Sequence, residues 1–233
     1  MRTASEPPPP VAEPPAESAY GKAGDRVTTA VRELIASGGL HPGEHLRQDV
    51  LAARLGTTRV PVREAFKTLV AEGLLVHRPN QGHYVAKLTS DELAEICWLR
   101  DTCENRLAQT VDWPDADALE ALGAINDAMR RIRGSAYEIV AADRRFHERL
   151  WALSPQRIVA QEAARTWALI QPYRSFMSYE PATVDRMHRE HAAITAALRE
   201  RDLDAYADAV RVHQEHVYRV VEDLAERERA QAQ

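Results

Sequence analysis

The sequence predicts a mainly α protein in two parts, a small N-terminal unit of three helices closed by a β-hairpin and a larger all-helical antiparallel bundle. Three observations predict it. Apolar residues recur at helical spacing from Arg26 almost to the end of the chain. The period changes to that of a strand in one short stretch, "LLVHRPNQGHYVAKL". Charge divides at the same seam: residues 22–88 carry ten Lys/Arg against six Asp/Glu, and residues 89–233 carry nineteen against twenty-six. A mildly basic small unit on an acidic body suits a polyanion-binding module.

Residues 1–21 open with "MRTASEPPPPVAEPPAESAY", rich in Pro, Ala and Glu. So little there can be buried that a disordered tail is expected. Val27, Ala30, Val31, Leu34 and Ile35 then mark one helix, stopped by "GGLHPG". A short helix follows over "QDVLAARLG", ended by Gly56, and a longer one over "VPVREAFKTLVAEG", with Thr57 and Thr58 as candidate caps and Gly73 as its stop. Two short strands around Pro-Asn-Gln-Gly complete the first unit, residues 22–88.

The second unit, residues 89–228, starts at the capping box "TSDE", with Thr89 as N-cap and Glu92 at the third helical position. Breaks near Pro114, Gly134, Ser154 to Pro155, Pro181 and Asp202 divide this unit into about six helices. No apolar run approaches the roughly twenty residues that span a bilayer, and the N-terminus lacks an apolar signal core, so a cytoplasmic protein is expected. Cys97 and Cys103 fall about 9 Å apart along one helix axis, too far for a disulfide, and read as packing residues.

The sharpest local signal is "LAARLGTTRVPVREAFKTLVAEGLL", residues 51–75. Two short helices joined through a tight Gly turn describe a helix-turn-helix, whose second helix enters the major groove with its N-terminal residues at the base edges. Arg59 and Arg63 lie four apart there, on one face, beside Thr58. Arginine so placed bonds guanine O6 and N7 bidentately, while Thr58 and main-chain N–H groups suit phosphate. An isolated Arg-x-x-x-Arg would more simply be a solvated pair.

The surrounding stretches "GGLHPGEHL", "LAARLGTTRVPVREAF", "LVAEGLL" and "HRPNQGHYV" resemble the winged helix-turn-helix of GntR-family transcription regulators. The resemblance implies double-stranded DNA as partner, Arg59 and Arg63 as base readers and Thr58 as their backbone support. It implies Gly82 at the wing tip, approaching the minor groove, with Asn80, Gln81 and His83 assisting. Val60 and Asp49 depart from the family pattern: a threonine is frequent at the first position, and some members place a basic residue at the second.

A second constellation lies in "EIVAADRRFHERLWAL". Ile139, Val140, Phe146, Leu150 and Trp151 form its apolar stripe, and Asp143 and His147 fall on or beside it. His191 shares a stripe with Met187, Ile194 and Leu198, and His213 with Tyr206, Val210, Val217, Val220 and Leu224. Three helices thus aim one Asp and three His at one interior, while His188 and His216 read as surface neighbours. Buried groups of this kind must be paired, hydrogen-bonded or metal-bound. A buried Asp143–His147 pair with core histidines is the plain alternative. Three imidazoles and a carboxylate suit a divalent transition metal, zinc first, with nickel, cobalt or manganese possible.

Residues 89 to about 228 resemble the all-helical FCD effector domain of the FadR branch of the GntR family. The matching elements are Asp143-Arg144-Arg145-Phe146-His147, Glu190-His191 and His213. The resemblance implies Asp143, His147, His191 and His213 as metal ligands and a small organic acid as effector. "WLRDTCENRLA" matches the family's "LR…E" element and nominates Arg100 for the acid's carboxylate, the alternative being a solvated Arg100–Glu104 helix pair. "LSPQR" stands where the family commonly has an Asn. Arg174, Tyr173 and Gln171 on "IQPYRSF" are further candidates for polar lining of the effector pocket, of undetermined direction. The expected protein is a homodimeric regulator, by default a repressor, on a palindromic operator. Two other readings are a metal-dependent hydrolytic enzyme, which lacks a spare inward general base, and a regulator whose metal is purely structural.

Overall fold

The computed structural model of the chain describes residues 19–133, 136–175 and 179–215, with backbone alone at 19–22 and 175. The expected tail up to Glu17 and Ser18, together with His216, Val217, Val220 and Leu224, lies outside the described residues.

Helix α1 spans Ala19–Ala36, β1 His45–Leu46, α2 Gln48–Arg54, α3 Arg59–Ala71, β2 Leu75–Arg78 and β3 Gly82–Val85. Helix α1 starts ahead of the expected Arg26, because the glycines at 21 and 24 cost a helix only about 1 kcal/mol each. The strands form a three-stranded antiparallel sheet in the order β1-β3-β2. Strand β1 was not expected, since two residues are too few to show alternation. Val31, Ile35, Val62, Phe66 and Leu69 fill the core of this unit with Leu46, Leu75 and Val85 from the sheet. Gly56 and Gly73, at φ +61° and +79°, take the left-handed turns after α2 and α3 that a side chain would strain.

Helices α4 (Ser90–Ala108), α5 (Ala116–Arg131), α6 (Ala136–Trp151), α7 (Arg157–Ser175) and α8 (Pro181–Glu200) follow, with a further helix, α9, over residues 203–215. The capping box at Thr89 forms as expected: its hydroxyl accepts from the Glu92 amide, and the Glu92 carboxylate accepts from the Thr89 amide. Helix α4 packs along α7, α5 along α8 and α6, and α6 along α7. The α4–α7 pair is antiparallel, for Cys97 clusters with Ile170 while Arg106 reaches Gln156. Both cysteines are free thiols, and burial pushes that of Cys97 up to about 11. Among the described residues no helix is long and apolar enough to cross a membrane.

Candidate nucleic-acid interface and metal centre

On the N-terminal unit, Arg59 and Arg63 both stand exposed at the start of α3. Asp49 on α2 reaches Arg59 at 3.9 Å, and Glu64 holds Arg63 at 3.4 Å, so neither guanidinium is committed to the core. Thr58 has the extended backbone of an N-cap, φ −99° and ψ 170°, yet its hydroxyl bonds no helix amide. The first amides of α3 and that hydroxyl therefore remain available to an anion.

The wing hairpin forms around Pro79 to Gly82 as its sequence predicts, with Gly82 and His83 placed differently. Arg78 pairs with Gly82 in the ladder, so Pro79, Asn80 and Gln81 make the tip, with Asn80 at φ +61°. Gly82 begins β3 at φ +96°, and a Cβ there would stand 2.9 Å from His45 Nε2. His83 turns away from the tip, against Phe66 of α3 and beside His77 across the ladder.

In the second unit the apolar stripes deliver four polar side chains to one point. Asp143 and His147, one turn apart on α6, meet His191 from α8 and His213 from α9. All four are buried, and one donor atom from each lies within 4.8 Å of the others. His191 Nε2 stands 3.2 Å and His147 Nε2 3.6 Å from Asp143 Oδ1. His147 Nε2 and His213 Nε2 are 3.0 Å apart.

The surrounding groups orient the rings. Glu190 Oε2 lies 2.9 Å from His213 Nδ1, and Glu104 Oε1 lies 3.5 Å from His147 Nδ1. A carboxylate beside Nδ1 keeps the proton on that nitrogen and turns the Nε2 lone pair inward. His147 Nε2 and His213 Nε2 face each other at 3.0 Å, so either one of them donates to the other or both lone pairs turn toward a cation between them. Asp143 Oδ1 and His191 Nε2 are buried without a hydrogen bond despite their proximity, and such orphaned atoms are costly. This donor set fits a divalent transition metal.

Burial alone would raise the Asp143 carboxyl, but the Arg174 guanidinium and the His191 and His147 rings hold it well below the usual carboxylate range. Burial, only partly offset by the Asp143 carboxylate, pushes His147 well down, and it takes His191 to about 4. At neutral pH the carboxylate is charged and these two imidazoles are neutral, the states in which they ligate metals.

Three partners were not legible beforehand. Arg174 turns inward, and its Nη2 donates to Asp143 Oδ2 at 2.6 Å. Glu104 joins His147 to Gln214, whose amide donates to it at 2.9 Å. Trp167 lies under the site, its ring 4.8 Å from that of His147 and 4.7 Å from Arg174 Cζ. Arg100 is also buried, 3.5 Å from both Glu104 and Asp101, so the helix pair forms but is buried, where a solvated one was the alternative. Its Nε and Nη1 make no hydrogen bond among the described residues, which leaves donors for an anion. Gln171 accepts from Arg144, and His188 pairs with Asp127 at 3.1 Å, away from the cluster.

Comparison with known proteins identifies the family of each unit. Residues 23–85 match "Bacterial regulatory proteins, gntR family", and residues 95–216 match the FCD domain. The Nta operon transcriptional regulator of Aminobacter aminovorans is 31% identical over 78% of this chain and 86% of its own. The HTH-type transcriptional repressor RspR of Escherichia coli K12 is 27% identical over 78% and 82%. Two solved structures share the fold. E. coli McbR/YncC has a TM-score of 0.78 at 21% identity, covering 87% of this chain and 98% of its own. A putative GntR transcriptional regulator from Rhodococcus sp. RHA1 has a TM-score of 0.74 at 20% identity over 87% and 98%.

Proposed function

The chain belongs to the GntR family of bacterial transcription regulators and carries an FCD domain, and on that premise we propose that it is a homodimeric, metal-dependent repressor of the FadR branch, answering to a small organic acid. As a transcription regulator it is not an enzyme, so the hydrolase reading falls. Residues 22–88 read DNA and residues 89–228 bind metal and effector. Arg59 and Arg63 contact bases, Thr58 the backbone, and Gly82 sets the wing. Two copies present their α3 helices to half-sites about one helical turn, roughly 34 Å, apart on a palindromic operator in the cytoplasm.

The observation that supports the effector reading best is the convergence of four buried donor atoms within 4.8 Å. Asp143, His147, His191 and His213 would hold zinc, or nickel, cobalt or manganese. Such an ion supplies Lewis acidity toward a carboxylate. Arg100, buried with unbonded donors, is the residue here suited to pair with the acid's charge. Effector binding then shifts the population of dimers competent for DNA.

Elemental analysis of untagged protein tests the metal. His191→Ala and His213→Ala should lose most of it while His188→Ala retains it, and equal content in all three overturns the assignment. The complete burial of the four donors also favours a second reading, a purely structural metal. Thermal shifts of zinc-loaded protein with small carboxylates separate the two, since stabilisation by an acid, lost in Arg100→Ala, belongs to the effector reading alone.

A further inference from the structure

Helix α7 touches both units of the protein, and it does so with two neighbouring faces. Ala163, Trp167, Ile170 and Arg174 follow one stripe, buried in the second unit. Leu169 and Tyr173, four apart, form another. Leu169 packs against the core of the winged unit, where a Cβ on Gly73 would lie 3.5 Å from its Cδ2. The phenol oxygen of Tyr173 accepts the Leu88 amide at 2.7 Å. Leu88 is the last residue before the Thr89 cap, so this bond secures the segment joining the two units.

Tyr173 is adjacent in sequence to Arg174, whose guanidinium holds Asp143 Oδ2 while Oδ1 of the same carboxylate faces His191 and His147. We propose that Tyr173 is a positioning residue that makes the hold on the joining segment depend on the metal centre, a proposal that rests on the metal reading above.

The physical case has three parts. With a cation bound, Oδ1 and the inward imidazole nitrogens are satisfied, so Asp143 is fixed and Arg174 with it. With the cation removed, the same buried atoms lack partners and the packing around them loosens. Loosening reaches the last turn of α7 readily, because Pro172 has no N–H and the Ala168 carbonyl forgoes its helical bond. The next side chains along that turn are Tyr173 and Arg174, so motion at the centre is delivered to the Leu88 amide within a single turn of helix.

Hydrogen–deuterium exchange on the full chain, zinc-loaded and chelator-stripped, tests the proposal. In the wild type, zinc should slow exchange of the peptide containing Leu88 several-fold. Tyr173→Phe keeps the ring and removes the acceptor. It should bind zinc equally by elemental analysis and keep the zinc-dependent slowing of α6, while losing that at Leu88. If wild-type protein binds zinc and Leu88 exchanges at one rate in both states, the proposal is overturned and the metal reading stands. It is also overturned if Tyr173→Phe retains the full difference. A wild-type chain that takes up no zinc overturns the metal reading and this proposal together.

Discussion

The ring of Phe146 lies parallel to the imidazole of His191, with centroids 3.9 Å apart and 9° between the planes. The two residues come from α6 and α8, and Phe146 stands next in sequence to His147. One side chain therefore fixes the plane of a proposed ligand that its own helix does not carry. Phe146→Leu should keep all four donors yet weaken zinc binding by roughly 10- to 100-fold, the range seen when groups orienting a ligand are removed. Titration against a chromophoric chelator measures it, and unchanged affinity would show that the stack contributes packing alone.

Arg59→Ala and Arg63→Ala should each weaken binding to a specific promoter fragment by about 1 to 3 kcal/mol, the value of a bidentate guanine contact. Both side chains are exposed, so the melting temperature should not move. Fluorescence anisotropy with specific and scrambled duplexes checks both points. A variant that binds the specific fragment like wild type does not carry a base reader.

Arg174→Gln leaves Asp143 buried beside imidazoles without its cationic partner. In chelator-stripped protein this should cost about 3 to 5 kcal/mol of unfolding free energy, as for other buried pairs deprived of one member. Zinc should restore part of that loss, because a bound cation compensates the same carboxylate. Urea unfolding with and without zinc gives the comparison, and a zinc increment no larger than wild type's would contradict it.

Gly82→Ala places a Cβ on a residue at φ +96°, 2.9 Å from His45 Nε2. The His45 side chain can swing aside, but the backbone conformation cannot be relieved so simply. Destabilisation of about 1 to 3 kcal/mol is expected, persisting in Gly82→Ala/His45→Ala. Thermal unfolding of the two variants decides whether backbone or contact dominates.

How far the sequence could be read depended on the company each residue keeps. Asp143, His147, His191 and His213 announced their direction because each interrupts an apolar stripe with helical period, and a polar group in such a stripe has nowhere else to point. Arg174 and Glu104 gave no such signal. Charged residues on half-buried faces look the same in sequence whether they reach solvent or turn inward. Arg100 was singled out by resemblance, and its burial beside Glu104 and Asp101 required the packed helices. The wing turn falls where Pro-Asn-Gln-Gly places it, but Gly82 closes the turn as the first residue of β3, and its freedom is used to pass His45. Strand β1 was invisible, since its pairing partner lies far along the chain.

Asp143 with His147, His191 and His213 come from three helices, of which α6 is far along the chain from α8 and α9, and this layout bears on the order of assembly. A metal site whose ligands sit within one hairpin can form early and organise the chain around itself. Here no two ligand-bearing helices are adjacent in sequence except α8 and α9, so the full set meets only after α6 and α8 have docked across α5 and the chain has returned through α9. Contacts this distant close long loops, whose entropic cost must be met before the contact rewards it. A metal held by these four donors would accordingly be a lock applied to a finished bundle, and its last bolt would be α9, the helix nearest the end of the described chain.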